Sequence, residues 1–167
     1  MNEQRRNRAT SLWVLPLEAG GCAACGQSIA ALQARKYQHA LQDQNIEFVT
    51  SPRHANVVLV TGVLNVASAG AIQRVIDAVP QPRVIVAVGS CATDGCVFRN
   101  SAALVGTIAE ALDVNVELPG CPPEPDTILA ALAEAAELLA TAGDAEAAPD
   151  EVEEADEAVA DEEGHDA

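Results

Sequence analysis

Two short runs in this chain are apolar on both faces: Val57–Thr61 and the Arg83–Val88 segment, Arg-Val-Ile-Val-Ala-Val. Successive side chains of a strand point to opposite faces, so such runs fit only a sheet covered on both sides. Segments of helical character lie between them. Residues 67–79 place Ile72, Val75, Ile76 and Val79 at helical spacing and end at Pro80 and Pro82. Residues 26–43 have helical composition. Residues 101–112 align Leu104, Val105, Ile108 and Leu112, and residues 124–141 carry Ile128, Leu132 and Leu139. Further strands are expected at Leu12–Leu17, Ile46–Thr50 and Val114–Leu118. The pattern predicts an α/β fold, a flavodoxin-like doubly wound parallel sheet of four to five strands. Five are read here, in the order 2-1-3-4-5. The competing expectation is an α/β protein of another topology.

A length of 167 residues suits one domain with a sizeable core. Three parts are expected: a mobile N-terminus over residues 1–11, an α/β domain over residues 12–141, and an acidic disordered tail over residues 142–167. The tail holds 12 of the 25 acids and no Lys or Arg, which leaves 13 acids against 9 basic residues elsewhere. That remainder is only mildly acidic and offers no basic face, so nucleic-acid binding is not expected. The only aromatics are Trp13, Tyr37, Phe48 and Phe98, too few for a base-stacking platform. No apolar run approaches the roughly 20 residues of a membrane span. Leu12–Leu17 is shorter than a signal-peptide core of about 7–15 residues. A cytoplasmic location is therefore expected, and five cysteines there read as metal or redox chemistry before disulfides. HExxH, Walker A, GxSxG and dinucleotide GxGxxG motifs are missing, which leaves no place for NAD, flavin or nickel in this chain alone.

Four of the five cysteines share a structural address. Cys22 and Cys25 follow the first expected strand, Cys91 follows the strand ending at Val88, and Cys121 follows the one ending at Leu118. In a doubly wound sheet these are carboxyl-end loops, where such folds bind ligands. Glycines attend each: Gly20, Gly21 and Gly26, then Gly89, then Gly120. They let the backbone approach a bulky inorganic group. Cys25 and the Cys121-Pro-Pro-Glu-Pro125 run also introduce helices, whose positive ends favour thiolates. Three chemistries compete. A thioredoxin-like pair, Cys22 and Cys25, leaves Cys91 and Cys121 unexplained. A structural zinc site usually draws on two close-set knuckles, whereas the last two cysteines here are separated by a strand–helix unit. A four-thiolate iron–sulfur cluster accepts such scattered spacing. The plain alternative is a set of unrelated small apolar side chains.

Four stretches carry a family resemblance: Gly21–Cys25 (Gly-Cys-Ala-Ala-Cys), Ser51–Gly62 (Ser-Pro-Arg-His-Ala-Asn-Val-Val-Leu-Val-Thr-Gly), Val86–Ala92 (Val-Ala-Val-Gly-Ser-Cys-Ala) and Pro119–Pro123 (Pro-Gly-Cys-Pro-Pro). In this order they resemble the cluster-bearing small subunit shared by complex I, as its 20-kDa B-type subunit, and by energy-converting, membrane-associated [NiFe] hydrogenases, formate hydrogenlyase included. The resemblance runs over about residues 12–135. It implies one [4Fe–4S] cluster with Cys22, Cys25, Cys91 and Cys121 as ligands. It also implies that Arg53 lies close to the cluster and tunes its potential. The CxxC spacing is that of the hydrogenase branch, since complex I subunits usually have the first two ligands adjacent. Five cysteines allow a single cluster. Cys96 stands where the family usually has glycine, and reads either as a small loop residue or as a spare thiol. Hydrogenase relatives usually place acids just after the second cysteine; here Gly26, Gln27 and Ser28 follow, so that loop brings no carboxylate.

The resemblance further implies an electron-transfer subunit, not catalytic alone, that serves a catalytic large subunit of the hydrogenase or complex I 49-kDa type. Ferredoxin-like and membrane subunits are compatible further partners, with attachment at the inner face of the cell membrane made through them. The opposing expectation is a hydrogenase-related module with a structural metal site and no redox turnover of its own. Among the remaining candidates, Arg53 and His54 are expected near the same sheet edge as the cysteines. Arg53 could instead pair with a surface acid, and His54 reads as a hydrogen-bonded structural residue. His39 is expected in solvent. Glu18 reads either as a neighbour of the first cysteine loop or as a surface or capping residue.

Overall fold

The structure, a computed structural model, describes residues 11–146. The expectations for residues 1–10 and 147–167 lie outside the described residues. The described residues form seven strands: β1 (Leu12–Gly20), β2 (Ile46–Phe48), β3 (Val57–Gly62), β4 (Leu64–Asn65), β5 (Val84–Val88), β6 (Leu104–Gly106) and β7 (Val116–Leu118). The helices are α1 (Ala24–Ala31), α2 (Gln38–Asp43), α3 (Ala69–Asp77), α4 (Ser90–Thr93), α5 (Ile108–Ala111) and α6 (Pro125–Glu146). Single 3-10 turns occupy Pro52–His54 and Cys96–Phe98.

Five strands form one parallel sheet in the order β2-β1-β3-β5-β7. Counted within that sheet, this is the 2-1-3-4-5 order the sequence predicts. All six residues of β3 and all five of β5 are buried, as runs without polar alternation require. Alternate residues feed two cores. Val57, Leu59, Val84 and Val86 meet Ile29, Leu32, Ile128 and Leu132 from α1, its C-cap and α6. Val58, Val60, Ile85 and Ala87 meet Ile72, Ile76, Ala92 and Ile108 on the other side. Two asparagines fasten the amino edge. Asn56 accepts from Trp13 N at 2.8 Å and donates to Ser11 O at 2.8 Å, and Asn115 accepts from Ile85 N at 2.8 Å.

Two expected helices are corrected. Residues 101–112 do not form one helix: Leu104–Gly106 pairs antiparallel with Leu64–Asn65 in a separate two-stranded sheet. A single helical turn follows, because Thr107 and Glu110 make a reciprocal capping box that starts the helix at Ile108. Residues 26–43 split in two. Tight bonds from Leu32 to Ile29, Gln33 to Ala30 and Ala34 to Ala31 close α1, and the turn that follows lets Leu32, Tyr37 and Leu41 all reach the core. The first strand is also longer than expected, passing Pro16 and Glu18 to end at Gly20.

Leu59 is fully buried in the central strand, so Leu59→Ala should cost about 2–5 kcal/mol in urea denaturation. Val66→Ala, at a residue 70% exposed, should stay within about 0.5 kcal/mol.

Candidate metal centre

Four strands of the parallel sheet, β1, β3, β5 and β7, end at a common level. Gly20 is in register with Gly62, Thr61 with Val88, and Val88 with Leu118. The loops that leave β1, β5 and β7 therefore start side by side. The first is Gly21–Ala23, and Cys25 lies in the opening turn of α1. The second is short, with Gly89 as N-cap and Cys91 in α4. The third is Pro119–Gly120–Cys121. Hydrogen bonds join the last two: Gly89 N donates to Leu118 O at 2.7 Å, Ser90 N to Gly120 O at 2.8 Å, and Gly120 N to the Ser90 hydroxyl at 3.2 Å.

Gly89 links the first loop to the others. Its φ is +92°, and a Cβ there would stand 2.5 Å from Cys25 Sγ and 3.4 Å from Gly120 O. The missing side chain is thus the space into which Cys25 leans. Cys22, Cys25 and Cys91 line a small solvent-open hollow together with Glu18 and Thr61. Cys121 is outside that lining, but its charge bears on both Cys25 and Cys91. Burial pushes the Cys25 thiol above its ordinary range, and the neighbouring Cys22 and Cys121 push the same way. Burial likewise raises the Cys91 thiol, followed by Cys96, Cys121, Cys25 and Cys22. Three of the four expected ligands thus line one hollow, Cys121 is near enough to bear on two of them, and Cys96 bears on Cys91. Cys96 heads its 3-10 turn at φ +44°, with its N–H donating to Asp94 Oδ1 at 2.8 Å. Among the described residues, no group of three or more His, Cys, Asp or Glu side chains is placed to hold a metal ion.

Arg53 and His54 are elsewhere. The His54 ring packs edge-on to Trp13, with centroids 6.5 Å apart, and Asn56 bonds the Trp13 backbone. Trp13 stands near the start of β1, and Gly20 ends it, roughly 23 Å away at about 3.3 Å per residue. The expectation that Arg53 and His54 share the cysteine edge is corrected. The segment from β2 enters β3 at Val57, opposite Val14, and so lies at the amino edge. Arg53 is exposed there, and His39 is exposed on α2. Sequence reasoning missed Ser90, whose hydroxyl ties two cysteine loops together. Its position between Gly89 and Cys91 was the available signal.

The family model described as "NADH ubiquinone oxidoreductase, 20 Kd subunit" matches residues 22–135. The chain belongs to this family. The probable membrane-bound hydrogenase subunit mbhJ of Pyrococcus furiosus is 35% identical over 144 residues, covering 86% of this chain and 85% of that protein. An NADH-quinone oxidoreductase subunit of Heliobacterium modesticaldum is 38% identical over 122 residues, covering 73% of this chain and 67% of that protein. The solved membrane-bound sulfane sulfur reductase, an archaeal respiratory membrane complex, contains a chain of the same fold. Its TM-score is 0.67 at 24% identity, over 84% of this chain and 77% of that one. The family member described here is thus a subunit of the complex I and hydrogenase type of oxidoreductase.

Both thiol shifts are upward. Protonated Cys25 and Cys91 favour the folded metal-free chain, and this contribution is lost as pH rises through the ordinary thiol value of 9.0 into the raised folded range. The urea midpoint of the metal-free chain should fall on going from neutral pH past 9.0. The fall should be smaller in the Cys25→Ser/Cys91→Ser double variant.

Proposed function

We propose that this chain holds one [4Fe–4S] cluster on Cys22, Cys25, Cys91 and Cys121, as the electron-transfer subunit of a larger oxidoreductase. The observation that carries the reading is the convergence of thiols from three separate loops on one sheet edge. An all-sulfur donor set suits zinc or an iron–sulfur group. A single zinc ion, with bonds of about 2.3 Å, would draw four sulfurs to a point. Three thiols lining one hollow, with Cys121 near enough to bear on two of them, support a polynuclear group held among them. When bound, such a cluster supplies a one-electron couple at this edge. The protein's own part is to hold it. Gly89 and Gly120 keep the backbone close, Ser90 fixes the spacing of two loops, and the sheet beneath excludes water.

A catalytic large subunit is the proposed partner. Val66, Val97, Phe98 and Val105 are exposed on the lobe built from β4, β6 and the Cys96–Phe98 turn, continuous in sequence with the Cys91 loop. Apolar surface of this kind supports burial against another subunit. Among the described residues no helix is long and apolar enough to cross a membrane. Membrane attachment in this reading comes through partners.

The anaerobically purified chain should carry about four iron and four acid-labile sulfide per molecule. Cys91→Ser and Cys121→Ser should each abolish or convert the cluster. Cys96→Ser should leave iron and sulfide content unchanged. Stoichiometric zinc without labile sulfide would overturn the cluster reading, and equal loss in the Cys96 variant would overturn the ligand set.

A further inference from the structure

Glu18 is the one carboxylate in the wall of the hollow. It stands on β1 in register with Thr61 of β3, two residues before the strand ends. Although Glu18 is exposed, its side chain lies across the first turn of α1. A Cβ at Gly26 would overlap the carboxylate oxygen Oε1 and stand 3.1 Å from Cδ. Gly26 directly follows Cys25, so the carboxylate lies over the backbone beside a proposed ligand. The Glu18 charge also reaches the Cys25 thiol, adding to the upward push of burial and of Cys22 and Cys121. Among the described residues the single ion pair joins Lys36 and Asp126, so no described cation neutralises Glu18.

We propose that Glu18 sets the reduction potential of the cysteine site, as a fixed negative charge held beside Cys25 because Gly26 has no side chain. The inference rests on the cluster reading above. Reduction adds one electron from an external reductant to the cluster, with the thiolate–iron bonds intact, and Glu18 is neither ligand nor electron donor. Adding negative charge near a carboxylate is unfavourable, so Glu18 lowers the potential. Its exposure means that salt screens part of the effect.

The test is a dithionite titration of the anaerobically purified, cluster-loaded full chain, followed by electron paramagnetic resonance at low and high ionic strength. Glu18→Gln should titrate at a higher potential than the unaltered chain with unchanged iron and sulfide content, and the shift should shrink in high salt. Gly26→Ala, which displaces the carboxylate without removing it, should shift the potential in the same direction. It should add nothing in the Glu18→Gln background. A Glu18→Gln chain with full iron content and an unaltered potential overturns the proposal. So does a Gly26→Ala shift that persists in the Glu18→Gln background, since the cause would then be loop structure. Should Glu18→Gln load iron poorly, Gly26→Ala alone decides, and an unchanged potential there overturns the proposal. If the unaltered chain holds no labile sulfide, the cluster reading itself fails; a cluster indifferent to Glu18 defeats only this inference.

Discussion

A parallel sheet buried on both faces has only its edges left for chemistry, and the rest of this molecule follows from that. β3 and β5 have no exposed residue. Their common register brings Gly62, Val88 and Leu118 to nearly one level. Every loop leaving the carboxyl edge therefore begins beside its neighbour, however distant in sequence. Cys22 and Cys121 are 99 positions apart in the chain, yet the charge of each bears on Cys25. Long-range order in the core is what makes a short-range site at the edge.

That convergence has an electrostatic consequence. Cys25 and Cys91 resist ionisation, because burial opposes it and the neighbouring thiolates oppose it further. Without a bound group, these two thiols therefore stay protonated to a higher pH than an ordinary thiol. On the proposed reading, Cys22, Cys25, Cys91 and Cys121 would be held as thiolates by a cationic inorganic core, which would reverse that balance. The glycines serve the same end sterically. At Gly89, the position of Cys25 Sγ leaves no room for a side chain, and at Gly120 a Cβ would stand 2.7 Å from Pro123 Cα.

Much of this was legible in the sequence, for physical reasons that can be named. Runs such as Val57–Gly62 admit one environment, so the parallel sheet and its order could be read directly. The four cysteines were legible as a group because strand ends locate loops. The lobe of β4 and β6 was not, because Leu104 and Val105 satisfy a helical spacing as readily as a short strand. Only the capping box at Thr107 and Glu110 distinguishes the two, and its reciprocal bonds are local geometry. Arg53 would reach the cysteine edge only if β2 ran level with its neighbours. That strand pairs only with Leu12–Val14, so the chain crosses to β3 near the bottom of the sheet. The contact of Glu18 with Gly26 was hidden for another reason: it joins a strand to the helix that follows, and no periodicity reports how the intervening loop folds back.

On the proposed reading, the site is built of negative charge around negative charge, and its surroundings decide how strongly that is felt. In the isolated chain Glu18 faces water on one side, where a high dielectric and salt weaken its field. The exposed Val66, Val97, Phe98 and Val105 lie on a lobe reached directly from the Cys91 loop. A partner protein seated there and over the hollow would replace water with protein, and the same carboxylate would then act through a lower dielectric. Assembly would thereby make reduction harder without moving a ligand. In this arrangement the sheet fixes where the thiols meet, the glycines fix how closely, and the covering partner fixes the dielectric in which their charges act.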